Sequence, residues 1–430
     1  MKALIIGLGI SGISSAKFLK NSGYEIFIYD DNATQLEKYS AEYQKYDESL
    51  KYDLAIISPG VPATHPVVQK LNAQHTEIIG ELELAGRFVK NEKVIAVTGT
   101  NGKSTTVSLV HAFLKNAGFR SFLCGNIGEP VINGIGKGYE FFVIELSSFQ
   151  LETLKSLKVD VAMVLNVTPD HLDRYKDFED YKNTKLNLLN LLKKGGIAVL
   201  GTGIVADDFA HPDFDIRFFS VEGTKDIKCD ETNVYFDGKE LKVDDLKIRG
   251  HHNIENIMAA VLGVKDWVGN TEILRKSLLD FNPLAHRTAF VDKFQGVEFI
   301  DDSKGTNVGA VEKSLAGFED GKVVLILGGV DKGGSYEPVR VLADKKCKGV
   351  VIIGASKEII RPYFKGFKNV ETADSMAETV EKAFRLAGND GVVLFSPACS
   401  SFDWYKNYKE RGVDFVNKVH DLKSKLNAGE

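Results

Sequence analysis

The sequence predicts an α/β protein made of three consecutive domains. Short runs of β-branched and aliphatic residues alternate with longer helical patterns along most of the chain, which is typical of parallel sheets with helices between the strands. Two strand-to-helix junctions are rich in glycine, at residues 7–12 and 99–105. The length of 430 residues also suits about three domains.

The first predicted domain is Rossmann-like and covers residues 1–91. Its opening strand "ALII" leads into Gly7, Gly9 and Gly12 in G-x-G-x-x-G spacing, and "YEIFIY" and "DLAIISPG" are the next strands. Such a turn presents backbone N–H groups and a helix N-terminus to a diphosphate. With Asp30 at the end of the second strand, it is also the fingerprint of a nicotinamide dehydrogenase.

The second predicted domain covers residues 92–283 and is of the P-loop ATPase type, with a parallel sheet. The strand "VIAV" enters the loop "TGTNGKSTT", which opens a helix. Lys103 would neutralise phosphate charge, and the Ser104 hydroxyl would bind Mg²⁺. Val97 stands where the strict Walker pattern has glycine, so the loop is a variant. Further strands are "YEFFVIEL", "VAMVLNV" and "GIAVLG", and Asp-Gly at 237–238 predicts an antiparallel hairpin.

Metal ligands are expected where the neighbouring strands end. Glu145 follows four apolar residues, and "VLNVTPDHLDRY" presents Asn166, Asp170, His171 and Asp173 after another strand. Parallel strands bring such residues to one edge of the sheet, beside the phosphate loop. Glu145 and His171 are therefore the predicted ligands.

The third predicted domain covers residues 284–430 and is again Rossmann-like, with Pro283 marking the boundary. Its strands are "VEFIDDS", "KVVLILGG", "GVVIIGAS" and "GVVLFSPACSS", and a helix with a polar face ends the chain.

Composition excludes several classes of protein. Hydrophobic residues make up 43% and charged residues 26% of the chain, as in ordinary globular proteins. The net charge of −5 argues against a nucleic-acid-binding surface. The four cysteines are far apart, which argues against disulfides or a zinc site. No signal peptide and no membrane-spanning run are predicted, so the expected location is the cytoplasm.

Taken together, eight motifs resemble those of the Mur ligases, and the resemblance covers all three domains in the expected order. They are "GTNGKST", "ELSSFQL", "DHLDRY", "HHNIENIMAA", "HR" at 286–287, "DDSKGTN", "LGGVDKGGSYEP" and "SPACSSFDWYKNYKERG". "ELSSFQL" and "SPACSSFD" are most similar to the member that adds D-glutamate. The resemblance implies ATP-dependent amide formation between UDP-N-acetylmuramoyl-L-alanine and D-glutamate, through an acyl phosphate.

The resemblance also implies a role for each matching residue. The ATP-binding residues would be Gly99, Thr100, Asn101, Gly102, Lys103, Ser104, Thr105, Asn253, Asn256, Arg287 and Asp302. The UDP-substrate would contact Gly9, Ile10, Ser11, Gly12, Asp30, Ser58 and Asn126. D-Glutamate would contact Lys304, Thr306, Lys332, Ser401 and Tyr408. The catalytic group would comprise Lys103, Glu145, His171 and Lys185, and two Mg²⁺ ions would be held by Ser104, Glu145, His171 and a carbamylated Lys185.

Three further expectations accompany this resemblance. The protein would be a monomer whose partners are small molecules, with no nucleic acid or membrane among them. His171 is a candidate base for the ammonium of D-glutamate. Tyr408 stands where the family often has phenylalanine, and Trp404-Tyr405 also departs from the commoner pair; backbone contact at the first position would make that change unimportant.

Three alternatives explain less of the chain or differ only in substrate. A nicotinamide dehydrogenase explains residues 7–30 and leaves the second glycine loop without a role. A regulatory P-loop protein explains that loop but not the motifs of the third domain. A sibling ligase that adds another amino acid, or folylpolyglutamate synthase, differs only in the acceptor.

Overall fold

The computed structural model describes most of the chain, namely residues 1–171, 174–201, 204, 213–220, 227–229, 233–236, 239–242, 245–248, 251–282 and 284–429. Asp173, the turn at 237–238 and Pro283, which entered the predictions above, lie outside the described residues. Among the described residues, no helix is both long enough and apolar enough to cross a membrane.

Residues 1–80 form a parallel sheet of five strands: β1 (Lys2–Ile6), β2 (Glu25–Tyr29), β3 (Gln44–Lys45), β4 (Leu54–Ile57) and β5 (Glu77–Gly80). The spatial order is β3-β2-β1-β4-β5. The accompanying helices are α1 (Ile10–Asn21), α2 (Ala33–Tyr39), α3 (Pro66–Ala73) and α4 (Glu81–Gly86). The chain reverses its direction across the sheet at β1, which makes the end of β1 a topological switch point.

The central sheet contains, within the described residues, six parallel strands: β6 (Lys93–Thr98), β7 (Ser121–Gly125), β8 (Phe141–Glu145), β9 (Val159–Val164), β10 (Leu192–Leu200) and β11 (Asp215–Phe218). Their order is β11-β10-β9-β6-β8-β7. The helices described here are α5 (Lys103–Asn116), α6 (Ser148–Leu151), α7 (Phe178–Leu186), α8 (His251–Val264) and α9 (Thr271–Asp280). Strand β6 lies between β8 and β9, so the loops after these three strands meet.

A small antiparallel sheet follows β11, made of β12 (Ile227–Cys229), β13 (Asn233–Phe236) and β14 (Lys239–Lys242). The pairing of β13 with β14 confirms the hairpin predicted from Asp-Gly.

The range 284–429 forms a six-stranded sheet: β15 (Ala289–Phe294), β16 (Val297–Asp301), β17 (Val323–Gly328), β18 (Cys347–Ile353), β19 (Val370–Ala373) and β20 (Gly391–Phe395). The order is β15-β16-β20-β17-β18-β19, and only the edge strand β15 runs antiparallel to its neighbour. Its helices are α10 (Val308–Ala316), α11 (Glu337–Lys346), α12 (Lys357–Ile360), α13 (Met376–Ala387) and α14 (Tyr408–Ala428). The loops after β16, β20 and β17 therefore lie side by side.

The strands predicted from apolar runs are confirmed as β1, β2, β4, β6, β8, β9, β10, β16, β17, β18 and β20. The short or half-polar strands β3, β5, β7, β15 and β19 were not predicted, because their patterns do not differ from those of loops. The three large sheets fall inside the three predicted ranges. The exact boundaries at 91/92 and 283/284 stay predictions.

The first and central sheets share one apolar cluster. Residues from both sides of the seam, among them Ile13 and Phe142, belong to the same buried group. Polar groups fasten the seam as well: the buried Glu81 accepts a hydrogen bond from the backbone N–H of Ile132 at 2.8 Å, and Glu83 accepts one from Lys155 at 2.7 Å. These two units therefore pack as a continuous core.

The glycine turn after β1 depends on two close backbone approaches. Gly7 has φ 88°, in the left-handed region, and its carbonyl accepts a hydrogen bond from the Ser58 hydroxyl at 2.9 Å. A Cβ on Gly12 would lie 2.0 Å from the carbonyl oxygen of Gly7. The turn brings helix α1 against the strand in the way the fingerprint predicts.

We therefore expect Gly12→Ala to destabilise the protein by about 1–3 kcal/mol, because the added methyl group must displace backbone. Gly9→Ala is the matched control, since Gly9 has φ −71° and a Cβ there would meet nothing within 4 Å. The measurement is the midpoint of thermal unfolding of the ligand-free variants. Equal midpoints for the two variants would contradict the close approach.

Candidate active site

A polar cleft lies where the loops of the central sheet face those of the third sheet. Its cavity volume is about 250 Å³. Most of the residues predicted for ATP, metal and D-glutamate line it: Thr100, Asn101, Gly102, Lys103, Thr105, Glu145, His171, Asn253, Asn256, Arg287, Asp302, Lys304, Thr306, Lys332 and Tyr408. Asn126, predicted to contact the UDP-substrate, lines it as well. The structure thus brings together residues that are up to 308 positions apart, from Thr100 to Tyr408.

The phosphate loop joins β6 to α5. Gly102 has φ 89°, and a Cβ there would lie 2.2 Å from Asn256 Oδ1, so only glycine fits. Helix α5 begins at Lys103, and no side chain caps its first turn. The N–H groups of that turn have no partner within the helix and point towards an anion site.

The ammonium of Lys103 donates to the carbonyl oxygens of Gly99 at 2.8 Å and Thr100 at 2.9 Å. Burial lowers the pKa of Lys103, and the positive charge of Arg287 adds to that effect, while Glu145 opposes it. Lys103 is therefore held within the loop, where a phosphate would need it.

Ser104 joins the two sides of the cleft. Its fully buried hydroxyl oxygen accepts hydrogen bonds from Lys304 Nζ at 2.7 Å and Arg287 Nη2 at 3.0 Å. Burial and the neighbouring Arg287 lower the pKa of Lys304 to about 7. Two cations of the third sheet thus reach the phosphate loop of the central one.

Glu145, at the end of β8, lines the same cleft as these cations. It is 1% exposed, and its Oε1 accepts a hydrogen bond from Asn126 Nδ2 at 2.7 Å. Burial acts to raise the pKa of Glu145, but the charges of Lys304 and Lys103 outweigh it, so that the pKa is lowered. Glu145 is held as a carboxylate.

The donor set suits a magnesium ion. Glu145 Oε2 is buried without a hydrogen-bond partner, and an unpaired buried carboxylate oxygen is costly unless a cation or donor meets it. Among the described residues no group of three or more His, Cys, Asp and Glu is placed to hold a metal. Mg²⁺ is commonly bound by one or two protein groups together with water and phosphate oxygens, so Glu145 and Ser104 fit it.

A second set of contacts crosses the cleft at Asp170. Asn307 Nδ2 donates to Asp170 Oδ2 at 3.1 Å, and Lys332 Nζ lies 3.6 Å from Asp170 Oδ1. Burial acts to raise the pKa of Asp170, but the charges of Lys332 and His171 outweigh it, so that the pKa is lowered. Neighbouring His171 has φ 56° and packs against the ring of Phe149 at 4.8 Å.

Asp302, predicted to meet ribose, has a buried carboxyl. Its Oδ2 accepts hydrogen bonds from Ser396 at 2.6 Å and Ser314 at 2.7 Å, and Oδ1 accepts one from Thr288 N at 3.2 Å. Burial raises the pKa of Asp302 to about 6 in spite of these donors.

Lys185 lies beneath the cleft rather than on the surface. It is 2% exposed and donates to the carbonyl oxygen of Gly99 at 3.0 Å. Burial, with a contribution from Lys103, lowers the pKa of Lys185 well below its ordinary value. The amine is thus adjacent to the phosphate loop.

The two asparagines of α8 occupy one helix face, as their spacing predicts. Asn256 Nδ2 donates to Asn253 Oδ1 at 3.1 Å, and both residues line the cleft.

Some predicted residues lie elsewhere. Ser401 is buried and does not line the cleft. Ile10, at the start of α1, is 75% exposed. Both carboxylate oxygens of Asp30 bond to backbone, one to Leu8 N at 2.6 Å and the other to Asn32 N at 2.8 Å, so this residue braces the glycine turn.

Ser58 lines a separate crevice between the first and central sheets, with Phe149 and Arg174 among its other walls.

Asn307 lines the cleft but was not predicted as a site residue. It caps the N-terminus of α10 by accepting from Ala310 N at 2.8 Å, and its side chain also contacts Asn101 across the cleft. The available signal was its place at the end of "DDSKGTN", where an asparagine before a helical pattern indicates an N-cap. The capping role accounts for Asn307 from its neighbours in the sequence, whereas its contact across the cleft involves a residue far away in the chain.

The chain is similar to known proteins over nearly its whole length. Three family models match consecutive parts of the chain: the Mur ligase MurD-like N-terminal domain over residues 1–80, the Mur ligase middle domain over 97–264, and the Mur ligase glutamate ligase domain over 286–399.

Curated relatives match nearly the whole chain. A UDP-N-acetylmuramoylalanine–D-glutamate ligase from Caldicellulosiruptor bescii is 37% identical over 445 residues, covering 97% of both chains. A ligase of the same name from Francisella tularensis subsp. novicida is 36% identical over 431 residues, covering 99% of this chain and 97% of the relative.

Solved structures share the fold. The UDP-N-acetylmuramate-alanine ligase of Thermotoga maritima has a TM-score of 0.64 at 19% identity, covering 98% of this chain and 100% of that one. The MurF ligase of the same organism, solved in complex with ADP, has a TM-score of 0.61 at 19% identity and covers 86% of this chain and 90% of that one.

The raised pKa of Asp302 predicts how stability depends on pH. The pKa of about 6 in the folded protein exceeds the ordinary 3.8, so the protonated carboxyl stabilises the fold below about pH 4. That contribution is lost as the pH rises through 6. Relative to Asp302→Asn, the unfolding free energy of the wild type should fall by about 2 kcal/mol between pH 4 and 7.

Denaturant unfolding of both proteins across this range measures the difference. The matched control is Asp390→Asn, because Asp390 is exposed and its hydrogen bond with Lys322 lowers the pKa of its carboxyl. There the wild type should gain stability relative to the variant as the pH rises. A pH-independent gap for Asp302→Asn would contradict the burial argument.

Proposed function

The chain belongs to the Mur ligase family, and on that premise we propose that it joins D-glutamate to UDP-N-acetylmuramoyl-L-alanine at the expense of ATP, in peptidoglycan-precursor synthesis. The observation that carries this proposal is near full-length similarity to D-glutamate ligases from distant organisms. The cleft agrees with it, since five lysines and arginines of the described residues line one cavity beside the phosphate loop: Lys103, Arg287, Lys304, Lys313 and Lys332.

In the first step, a carboxylate oxygen of UDP-N-acetylmuramoyl-L-alanine attacks the γ-phosphorus of ATP. A P–O bond forms to give the acyl phosphate, and ADP takes the electron pair of the bond that breaks. Two anions must approach each other, so charge neutralisation and positioning carry most of the catalysis. Lys103, the first turn of α5 and Arg287 supply that positive potential, and Asn253 and Asn256 lie on the nucleoside side.

In the second step, the amine of D-glutamate, after losing a proton, attacks the acyl carbon and phosphate leaves. We assign recognition of the two D-glutamate carboxylates to Lys304, Thr306, Lys332, Ser401 and Tyr408. In support, Lys332 Nζ lies 3.4 Å from Thr306 Oγ1, and Lys304 Nζ lies 5.3 Å from the ring centre of Tyr408. Ser401 would act from the buried loop behind them, and His171 is the proposed base.

We propose two Mg²⁺ sites, the first held by Ser104 and Glu145 and the second by His171 together with a modified Lys185. When bound, the ions neutralise phosphate charge. Carbamylation of Lys185 needs a neutral amine to attack CO₂, and the lowered pKa of the buried Lys185 favours that form. The product is an anion that suits a metal.

The UDP end of the substrate belongs to the first sheet. We propose that its diphosphate lies over the turn at Gly9, Ile10, Ser11 and Gly12, where the helix N-terminus favours an anion. Ser58 and Asp30 border the same end of the sheet, and Asn126 would meet the acyl end beside Glu145. We also propose that the protein acts as a monomer in the cytoplasm.

The acceptor amino acid separates this proposal from a sibling ligase. Purified protein with ATP, Mg²⁺ and UDP-N-acetylmuramoyl-L-alanine should release phosphate when D-glutamate is added. Release should be at least tenfold slower with L-glutamate, L-alanine or L-lysine, because a site that binds two carboxylates of a D-amino acid rejects the L-enantiomer and amino acids with one carboxylate. Release with another acceptor instead of D-glutamate would overturn the assignment.

Glu145→Gln tests the metal site. The amide keeps the shape but loses the charge, so we expect kcat to fall by about 10²- to 10³-fold and the Mg²⁺ concentration for half-maximal rate to rise. Titration of phosphate release with Mg²⁺ measures both quantities. The control is Glu140→Gln, an exposed carboxylate on the same unit, which should leave both unchanged. An unaltered Mg²⁺ dependence in Glu145→Gln would exclude the proposed ligand.

A further inference from the structure

Arg411, on α14, is a buried arginine without a role in the reaction described above. It is 1% exposed, and its guanidinium lies against the ring of Phe395. One nitrogen, Nη2, donates to the carbonyl oxygens of Ser303 at 2.9 Å and Cys399 at 3.0 Å. Arg411 therefore joins the loop after β16 to the loop after β20.

These two loops carry residues proposed to bind the amino acid. Lys304 and Thr306 follow Ser303, and Ser401 lies two positions after Cys399. The loops also touch each other directly, since Ala398 N donates to Gly305 O at 2.8 Å. Arg411 lies at the base of the pair, beneath the cleft.

The loop that carries Lys332 is tied to the same structure. Val330 and Ser400 exchange two backbone hydrogen bonds, at 2.9 and 3.0 Å. A Cβ on Gly329 would lie 3.1 Å from Arg411 Nη1, so the backbone there packs against the guanidinium. All three loops thus meet around one side chain.

Fold stability alone accounts poorly for an arginine in this position. The hydrogen bonds of Nη2 go to carbonyl oxygens, and Nε and Nη1 are buried without partners. Burial lowers the pKa of Arg411 to about 10. A buried cation of this kind costs free energy that an apolar side chain of similar volume would avoid.

We infer that Arg411 is a positioning residue for the acceptor amino acid, holding the loops after β16, β17 and β20 at the spacing that lets Lys304, Thr306 and Lys332 bind it. The inference rests on the proposed function for the identity of the acceptor. It concerns an indirect effect, because Arg411 does not line the cleft.

The test compares Arg411→Met, which fills similar space without a donor, with Arg411→Lys, which retains a cationic donor. The control is Arg340→Met: Arg340 is also a poorly exposed arginine of the third sheet, but it packs on Phe364 and Phe367, away from the cleft. Each variant is assayed by thermal unfolding and by steady-state kinetics with D-glutamate, ATP and the UDP-substrate varied in turn.

Arg411→Met should raise KM for D-glutamate about 10- to 100-fold, leaving KM for the UDP-substrate within twofold. Arg411→Lys should restore part of that loss. Arg340→Met should lower the unfolding temperature and leave KM for D-glutamate unchanged. An unchanged KM for D-glutamate in folded Arg411→Lys and Arg411→Met, or a matching rise in Arg340→Met, would overturn the inference. If Arg411→Met does not fold, Arg411→Lys decides alone, with a rise of threefold or more required.

Failure of the proposed function gives a different result. If the wild type uses another acceptor, the same KM comparison is made with that amino acid, and the positioning role stands or falls on it. If no amino acid stimulates phosphate release, the proposed function and this inference both fall.

Discussion

The active cleft is shaped by one electrostatic constraint, the crowding of cations around the phosphate loop. Lys103 and Lys304 are largely withdrawn from water, with Arg287 beside them, and burial lowers the pKa of both lysines. Glu145 lines the same cleft, and one of its carboxylate oxygens, Oε2, is buried without a hydrogen-bond partner. Positive charges this close together repel one another, so the surrounding structure must hold them in place. A polyanionic substrate reduces the repulsion between them. Much of the local architecture follows from keeping these charges together.

Sheet topology is what brings them together. In the central sheet, β6 lies between β8 and β9, so that the phosphate loop, Glu145 and Asp170 share one edge. In the third sheet, β20 lies between β16 and β17, so the loop after β20 lies between the loops that carry Lys304 and Lys332. The two edges face each other across the cleft. Ser104 and Asn307 then provide hydrogen bonds between them.

The sequence predicted the parts of this arrangement that have a local cause. Apolar runs indicated the central strands, and the glycines before Lys103 indicated the loop, because both strands and tight turns depend on residues that are neighbours in the sequence. It did not reveal the burial of Lys185, which looks like any polar residue of a helix, nor the contact of Asn307 with Asp170. Nor did the sequence show that Ser401 is buried and does not line the cleft. Such features depend on packing between segments far apart in the chain.

The two seams of the molecule differ in chemistry. The first and central units share a dry apolar cluster, and separating them would expose that surface to water. The central and third units meet at the cleft through hydrogen bonds among Ser104, Arg287, Lys304 and Asn307, which water can replace at little cost. Arg287 itself lies between two residues with positive φ, His286 at 64° and Thr288 at 46°. Because no apolar cluster of the described residues spans the central and third units, separating these two would expose less buried apolar surface than separating the first two.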